Sequence, residues 1–401
     1  MTLSRLVVLL TAPIDAATLK KRLGPDRFDT AEMDGPADPF ARWTAWIEIN
    51  GMAVRFTAEE PPALHGWHFE QPKWAPGERA RAEDAKAALG IEAELEEPPL
   101  GAYKDELAIA RAASGPELAA IYDENAERLL PPSQLPERLL EPRDLFSIHS
   151  VGPAATGPFW IHTHGLGRAR VPDLDALSVP STGREAAGEL LDATASLFLS
   201  YGVPPRAKPF PVGEGIDLVL LPLDEALARL PKDEPGSLAS RGEEHREEER
   251  VVLAPADSRH GGSPSLARIL PRVSRAVLFR SPEETEAMRR TAKKTWGEFA
   301  RLFAAHRSDA GWRFLVKLGY EPDRSRDTRE AVAREHLWFR VQSVDEGRVE
   351  AVLESSPRDL AALKPGEARW HELSRLTDWL VLSPSGEIGP GKVLVPGHVD
   401  P

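Results

Sequence analysis

Phe159-Trp160-Ile161-His162-Thr163-His164-Gly165 is the stretch on which the reading of this chain turns. Its residues alternate in the manner of a β-strand inside a mixed sheet, which sends side chains to opposite faces with a period of two. His162 and His164 then emerge side by side, about 7 Å apart at their Cα atoms. Two imidazoles so placed can ligate one zinc ion. A third ligand can come from His149 on the preceding strand, or from Asp173 or Asp175 downstream. Whether His149 shares their face depends on hairpin register, which the sequence does not fix. The plainer alternative is a strand end before Gly165 whose imidazoles bond to neighbouring backbone groups. The eightfold strand–helix pattern of many His-x-His hydrolases is missing. No metal and no cofactor is therefore assigned, and the candidate ligand-binding set is His149, His162, His164, Arg168 and Asp173.

Working outward, 145–151 and 216–222 read as further strands, as does the apolar run at 3–10. Leu6 to Leu10 is too short for a signal-peptide core, and no stretch reaches the roughly 20 apolar residues of a membrane span. Asn50-Gly51 between 44–49 and 52–57 marks a hairpin, because a type I′ turn needs positive φ at both central positions. Helices are expected at 15–23 and near 78–89. Three more follow capping-box patterns at Ser114-Gly115-Pro116-Glu117, Thr182-Gly183-Arg184-Glu185 and Ser281-Pro282-Glu283-Glu284. The first of these predicts a helix through Leu130, and the last predicts one over 283–305.

Residues 231–249 have almost no apolar content and read as a solvated acidic linker, His245 included. The expected organisation is α+β throughout. An N-terminal domain over 1–230 has a mixed sheet with helices on one face, and a small C-terminal domain over 250–401 has a strongly bent sheet or partial barrel.

The 401 residues include no cysteine, which removes disulfides, thiolate nucleophiles and Cys-ligated metals and fits a cytoplasmic setting. The net charge of −13 argues against nucleic acid and anionic membranes, and favours a basic protein partner. Neither a Gly-x-Ser-x-Gly elbow nor a phosphate loop is present. Sequence leaves the oligomeric state open.

Toward the C-terminus, Ala287-Met288-Arg289-Arg290-Thr291-Ala292-Lys293-Lys294-Thr295 leads into Glu298-Phe299. Phe314-Leu315-Val316-Lys317, Glu335-His336-Leu337-Trp338-Phe339, Leu363-Lys364-Pro365-Gly366 and Thr377-Asp378-Trp379 follow in order. This part resembles the bacterial domain of unknown function 2314, or YegJ-like family. The segment from Phe159 to Gly165, with Pro172-Asp173-Leu174-Asp175, is similar to domain of unknown function 4026, often fused to it. The resemblance implies a bacterial cytoplasmic protein of two parts and carries over no catalytic residue. By analogy with related small α+β families, a non-enzymatic, immunity-like protein-binding module is the first expectation. A metal-dependent hydrolase using His162 and His164 is the alternative.

Overall fold

The structure, a computed structural model, describes residues 2–24, 27–32, 43–49, 51–135, 140–153, 158–213, 215–232, 234–242, 245, 249–274, 278–321, 323, 334–355, 357 and 360–390. It forms two compact units, Met1–Ser281 and Pro282–Pro401. The division therefore falls later than the acidic stretch at 231–249.

The first unit holds two sheets rather than one. Strands β1 (Ser4–Leu10), β2 (Arg27–Glu32), β3 (Trp43–Ile49), β4 (Met52–Glu59), β5 (Ala87–Ala93), β6 (Leu118–Asp123) and β7 (Arg128–Leu130) pair in the order β2-β3-β4-β5-β1-β6-β7. Every pairing is antiparallel. Leu6 to Leu10 is buried at the sheet's centre, as its unbroken apolar run requires. Ile49 faces Met52 across the β3–β4 turn, where Gly51 takes φ +82° as the hairpin reading demands. Asn50 lies outside the described residues.

One expected helix is strand instead, and a second is cut short by one. Pro99–Ser114 is the helix, and Ser114 ends it, its Oγ donating back to the Ala110 carbonyl. Gly115–Glu117 is one 3-10 turn, after which Leu118–Asp123 enters the sheet beside β1. Leu118, Ala119, Ala120 and Ile121 are all buried, and an apolar run of that length fits either periodicity until a partner strand decides it. In the same way Glu78–Glu83 is only a short helix, and Ala87–Ala93 is a strand between β4 and β1.

The second sheet comprises β8 (Ser147–Val151), β9 (Phe159–His164), β10 (Asp173–Val179), β11 (Phe210–Gly213), β12 (Ile216–Pro222) and β13 (Arg250–Pro255). Its order is β11-β12-β13-β10-β9-β8, with β10 and β13 parallel and the other pairs antiparallel. This mixed sheet includes Arg250–Pro255, which the acidic-linker reading had assigned to the C-terminal domain. All six residues of that strand are buried, and such a strand is stable only inside a sheet covered on both faces. Phe159 and Ile161 face the main core with the helix Arg184–Tyr201, which the Thr182 motif had announced. Trp160 faces the other way, into a smaller core with Leu177, Val219, Leu221 and Ala226. Helices thus lie on both faces of this sheet, since Leu223–Leu227 packs on β12 and β13.

Among its described residues the second unit has six antiparallel strands: β14 (Arg313–Tyr320), β15 (Glu335–Asp345), β16 (Arg348–Leu353), β17 (Ala368–Glu372), β18 (Leu376–Ser383) and β19 (Gly386–Ile388). Their order is β17-β16-β15-β14-β18-β19, so the sheet is open-edged and not a barrel. Leu337, Phe339 and Val341 face the core, as the alternation predicts. The expected helix over 283–305 is two, Pro282–Lys294 and Trp296–His306. They break at Thr295, whose hydroxyl bonds back to the Thr291 carbonyl and accepts the buried Trp379 Nε1–H. Among the described residues, no helix is long and apolar enough to cross a membrane.

Candidate metal centre

His149 lies directly opposite His162 in the β8–β9 ladder, so the two side chains share one face of the sheet. His164 follows two residues later on that face. The register that the sequence left open is therefore the one that assembles the three imidazoles, and one ligand atom from each lies within 4.8 Å of the others. On its far side His162 pairs with Asp175 of β10.

Burial and charge set the protonation of the cluster. His162 and His164 are 1% and 2% exposed. Loss of water holds the His162 pKa well below its ordinary value, and neighbouring His164 and Arg250 push it further down. His164 falls to about 2, through burial first and then the Arg250 guanidinium. His149, less deeply placed, falls to about 4, again mainly by desolvation. These shifts favour the neutral imidazole, the form that ligates a metal.

The fourth imidazole is one that sequence reasoning assigned to solvent. His245, from the acidic stretch, sits with its Nε2 3.2 Å from His164 Nε2. His162 Nε2 lies 3.0 Å from the same atom. A neutral ring nitrogen carries one proton or offers one lone pair, so His164 Nε2 can fully serve only one of these neighbours. A cation at the convergence point satisfies all three nitrogens together. Tetrahedral zinc with bonds of 2.0–2.1 Å separates its ligand nitrogens by about 3.3 Å, close to both contacts.

The surroundings resemble the outer shell of such a centre. Glu127 presents one carboxylate oxygen 3.6 Å from His164 Nδ1 and the other 3.4 Å from His149 Nδ1. A carboxylate behind a ligating imidazole fixes its tautomer and raises its basicity. Glu127 comes from the β6–β7 turn at φ +47°, a left-handed conformation uncommon for a side-chain-bearing residue. His162 stacks on Trp160, centroids 3.8 Å apart. Trp160 Nε1–H donates to Asp175 Oδ1, which also accepts from Arg250.

The remaining sequence candidates stand elsewhere. Arg168 is buried in a bidentate pair with Asp123 and belongs to the junction of the two sheets. Asp173 accepts the Thr163 hydroxyl at 2.7 Å and is engaged there rather than with the imidazoles. Asp175 shares the imidazole face but is occupied by Trp160, Arg241 and Arg250. Glu127 and His245 carried no local sequence signal, because 37 and 81 residues separate them from His164.

Two family models match this chain. Residues 148–253 match the model described as protein of unknown function (DUF4026) C-terminal, and residues 283–392 match uncharacterized protein conserved in bacteria (DUF2314). No curated protein and no solved structure shows significant similarity to it. The DUF4026 C-terminal match runs from β8 into β13 and contains all four histidines of the cluster. Glu127 lies ahead of it. The DUF2314 match coincides with the helices and sheet of the second unit.

Proposed function

We propose that the Met1–Ser281 unit binds a divalent transition metal of the zinc class, with His162 and His164 as its fixed ligands. One observation carries this reading: two buried imidazoles held Nε2 to Nε2 at 3.0 Å, with the His245 Nε2 3.2 Å from that of His164. The all-imidazole donor set suits zinc, copper, nickel or iron rather than calcium or magnesium, which take oxygen ligands. A zinc-class ion polarises carbonyl or phosphoryl groups and activates bound water, so hydrolysis is the reaction class this site serves best. The test is elemental analysis of protein purified without a histidine tag. Stoichiometric metal is expected, lost when His162→Ala and His164→Ala are combined. Metal-free wild-type protein with native circular dichroism, even after incubation with zinc, overturns the reading.

The net charge of −13 favours a second reading, an immunity-like surface for a basic protein partner in the cytoplasm. Its check is a salt-sensitive complex between the purified chain and a basic protein of the same source. No such complex at low ionic strength would count against it.

A further inference from the structure

We infer that His245 is the third ligand of this metal, and that His149 stands outside the ligand set, facing a fourth position taken by water. The inference rests on the metal reading above and names the ligand set it leaves open.

The centroids of His162, His164 and His245 form a nearly equilateral triangle with sides of 4.8, 4.9 and 5.0 Å. Their planes meet at 67°, 83° and 70°, as blades around a common axis. Three imidazoles bound through nitrogen to one tetrahedral ion place their centroids about 5 Å apart. His149 breaks this symmetry. Its centroid is 4.7 Å from His164 but 5.8 Å from His162. Its two ring nitrogens already have partners, Nε2 the Ser147 hydroxyl at 2.9 Å and Nδ1 the Glu127 carboxylate at 3.4 Å. A spread of up to 4.8 Å among the His149, His162 and His164 ligand atoms is wider than a coordination edge and leaves space for a bound water. The His149 and Glu127 side chains are 17% and 27% exposed, so water reaches this side of the site. Three histidines with an open fourth position is the arrangement of a catalytic rather than a structural zinc site.

What delivers His245 is a segment pinned on both sides of it. Gly236, at φ +86°, packs its backbone against the Trp160 ring. Arg241 lies over the same ring at 4.4 Å, donates to the Gly236 carbonyl at 2.7 Å and pairs with Asp175 at 2.9 Å. Beyond His245, the Glu249 carbonyl accepts from the Asp173 backbone N–H. These anchors hold Gly236 and Arg241 against Trp160, on the face that bears His162 and His164.

Cobalt(II) titration of the full chain reads the ligand set directly, with circular dichroism confirming that each variant folds. His245→Ala should weaken cobalt binding more than about a hundredfold, beyond the loss of an outer-shell partner, whereas His149→Ala should cost less than about tenfold. His245→Cys should bind cobalt with a sulfur-to-metal charge-transfer band, assignable to position 245 because the chain has no cysteine of its own. If His149→Ala loses the metal while His245→Ala keeps it, the ligand set is His149, His162 and His164 and the inference fails. A His245→Cys variant that takes cobalt without that band also sinks it. Wild-type protein that takes no cobalt removes the metal reading itself.

Discussion

Arg168 and Asp123 form a bidentate ion pair, both bonds 2.9 Å long, with neither side chain exposed to solvent. Arg168 sits in the turn after β9 of the mixed sheet and Asp123 ends β6 of the antiparallel sheet, so the pair bolts the two sheets together. Tyr103 donates to Asp123 Oδ2 at 2.6 Å and places its ring 4.3 Å from the guanidinium. Removing one charge leaves the other buried without compensation. Asp123→Ala is expected to cost about 3–5 kcal/mol, measured by urea unfolding of the full chain under chelation. A loss below about 1 kcal/mol would show that water reaches Arg168.

Glu106 lies beside this pair, fully buried, accepting the Ser4 hydroxyl at 2.6 Å. Burial pushes its pKa up to about 8, so the native state keeps a proton that the unfolded chain releases near 4.5. Stability is undiminished below about 4.5 and declines as pH rises toward about 8. Glu106→Gln keeps the shape and removes the titration. It should gain on the wild type between pH 5 and pH 7, by at most about 3 kcal/mol at pH 7. Equal differences at the two pH values would contradict a protonated Glu106.

The histidines act in the opposite direction. Their native pKa values lie below the unfolded value near 6.5, so on acidification the unfolded chain takes up protons first. Metal-free protein should lose stability as pH falls from about 6.5 toward 4, with a slope of at most about 1.4 kcal/mol per pH unit for each histidine. Thermal unfolding in chelator across that range checks it. His149→Gln should flatten the profile between pH 6.5 and about 4, and an unchanged slope would show that His149 is not desolvated as described.

Gly236 admits no side chain. An added Cβ would lie 2.8 Å from Trp160 Cγ and 2.9 Å from Leu177 Cδ2, at a φ of +86° that other residues rarely adopt. Gly236→Ala should destabilise the first unit by about 1–3 kcal/mol and weaken cobalt binding, because the same segment carries His245. Unfolding curves and cobalt titration measure the two effects. A variant with wild-type stability and affinity would mean that the segment docks by some other contact.

Local chemistry was legible where it was self-sufficient. The alternation at 159–164 and 335–341 gave strands with the expected faces, and the motifs at Thr182 and Ser281 preceded helices. It misled at 118–123, where four successive buried apolar residues satisfy a helix stripe and a central strand equally, and only pairing with β1 distinguishes them. It misled again at 231–249, where few apolar residues suggested solvent. Arg241 is 3% exposed because its guanidinium stacks on Trp160 and pairs with Asp175, partners 66 or more residues away.

The sequence by itself determined that His162 and His164 leave one strand on one face, since a two-residue period is a property of the local backbone. It also excluded any sulfur ligand, as the chain has no cysteine. Tertiary structure alone decided what surrounds that pair. The β8–β9 register brings His149 opposite His162, the left-handed turn at Glu127 brings a carboxylate from the other sheet, and His245 arrives from 81 residues further along the chain. Convergence of groups so distant in the chain depends on how two sheets and a covering segment pack. No window of neighbouring residues encodes that packing.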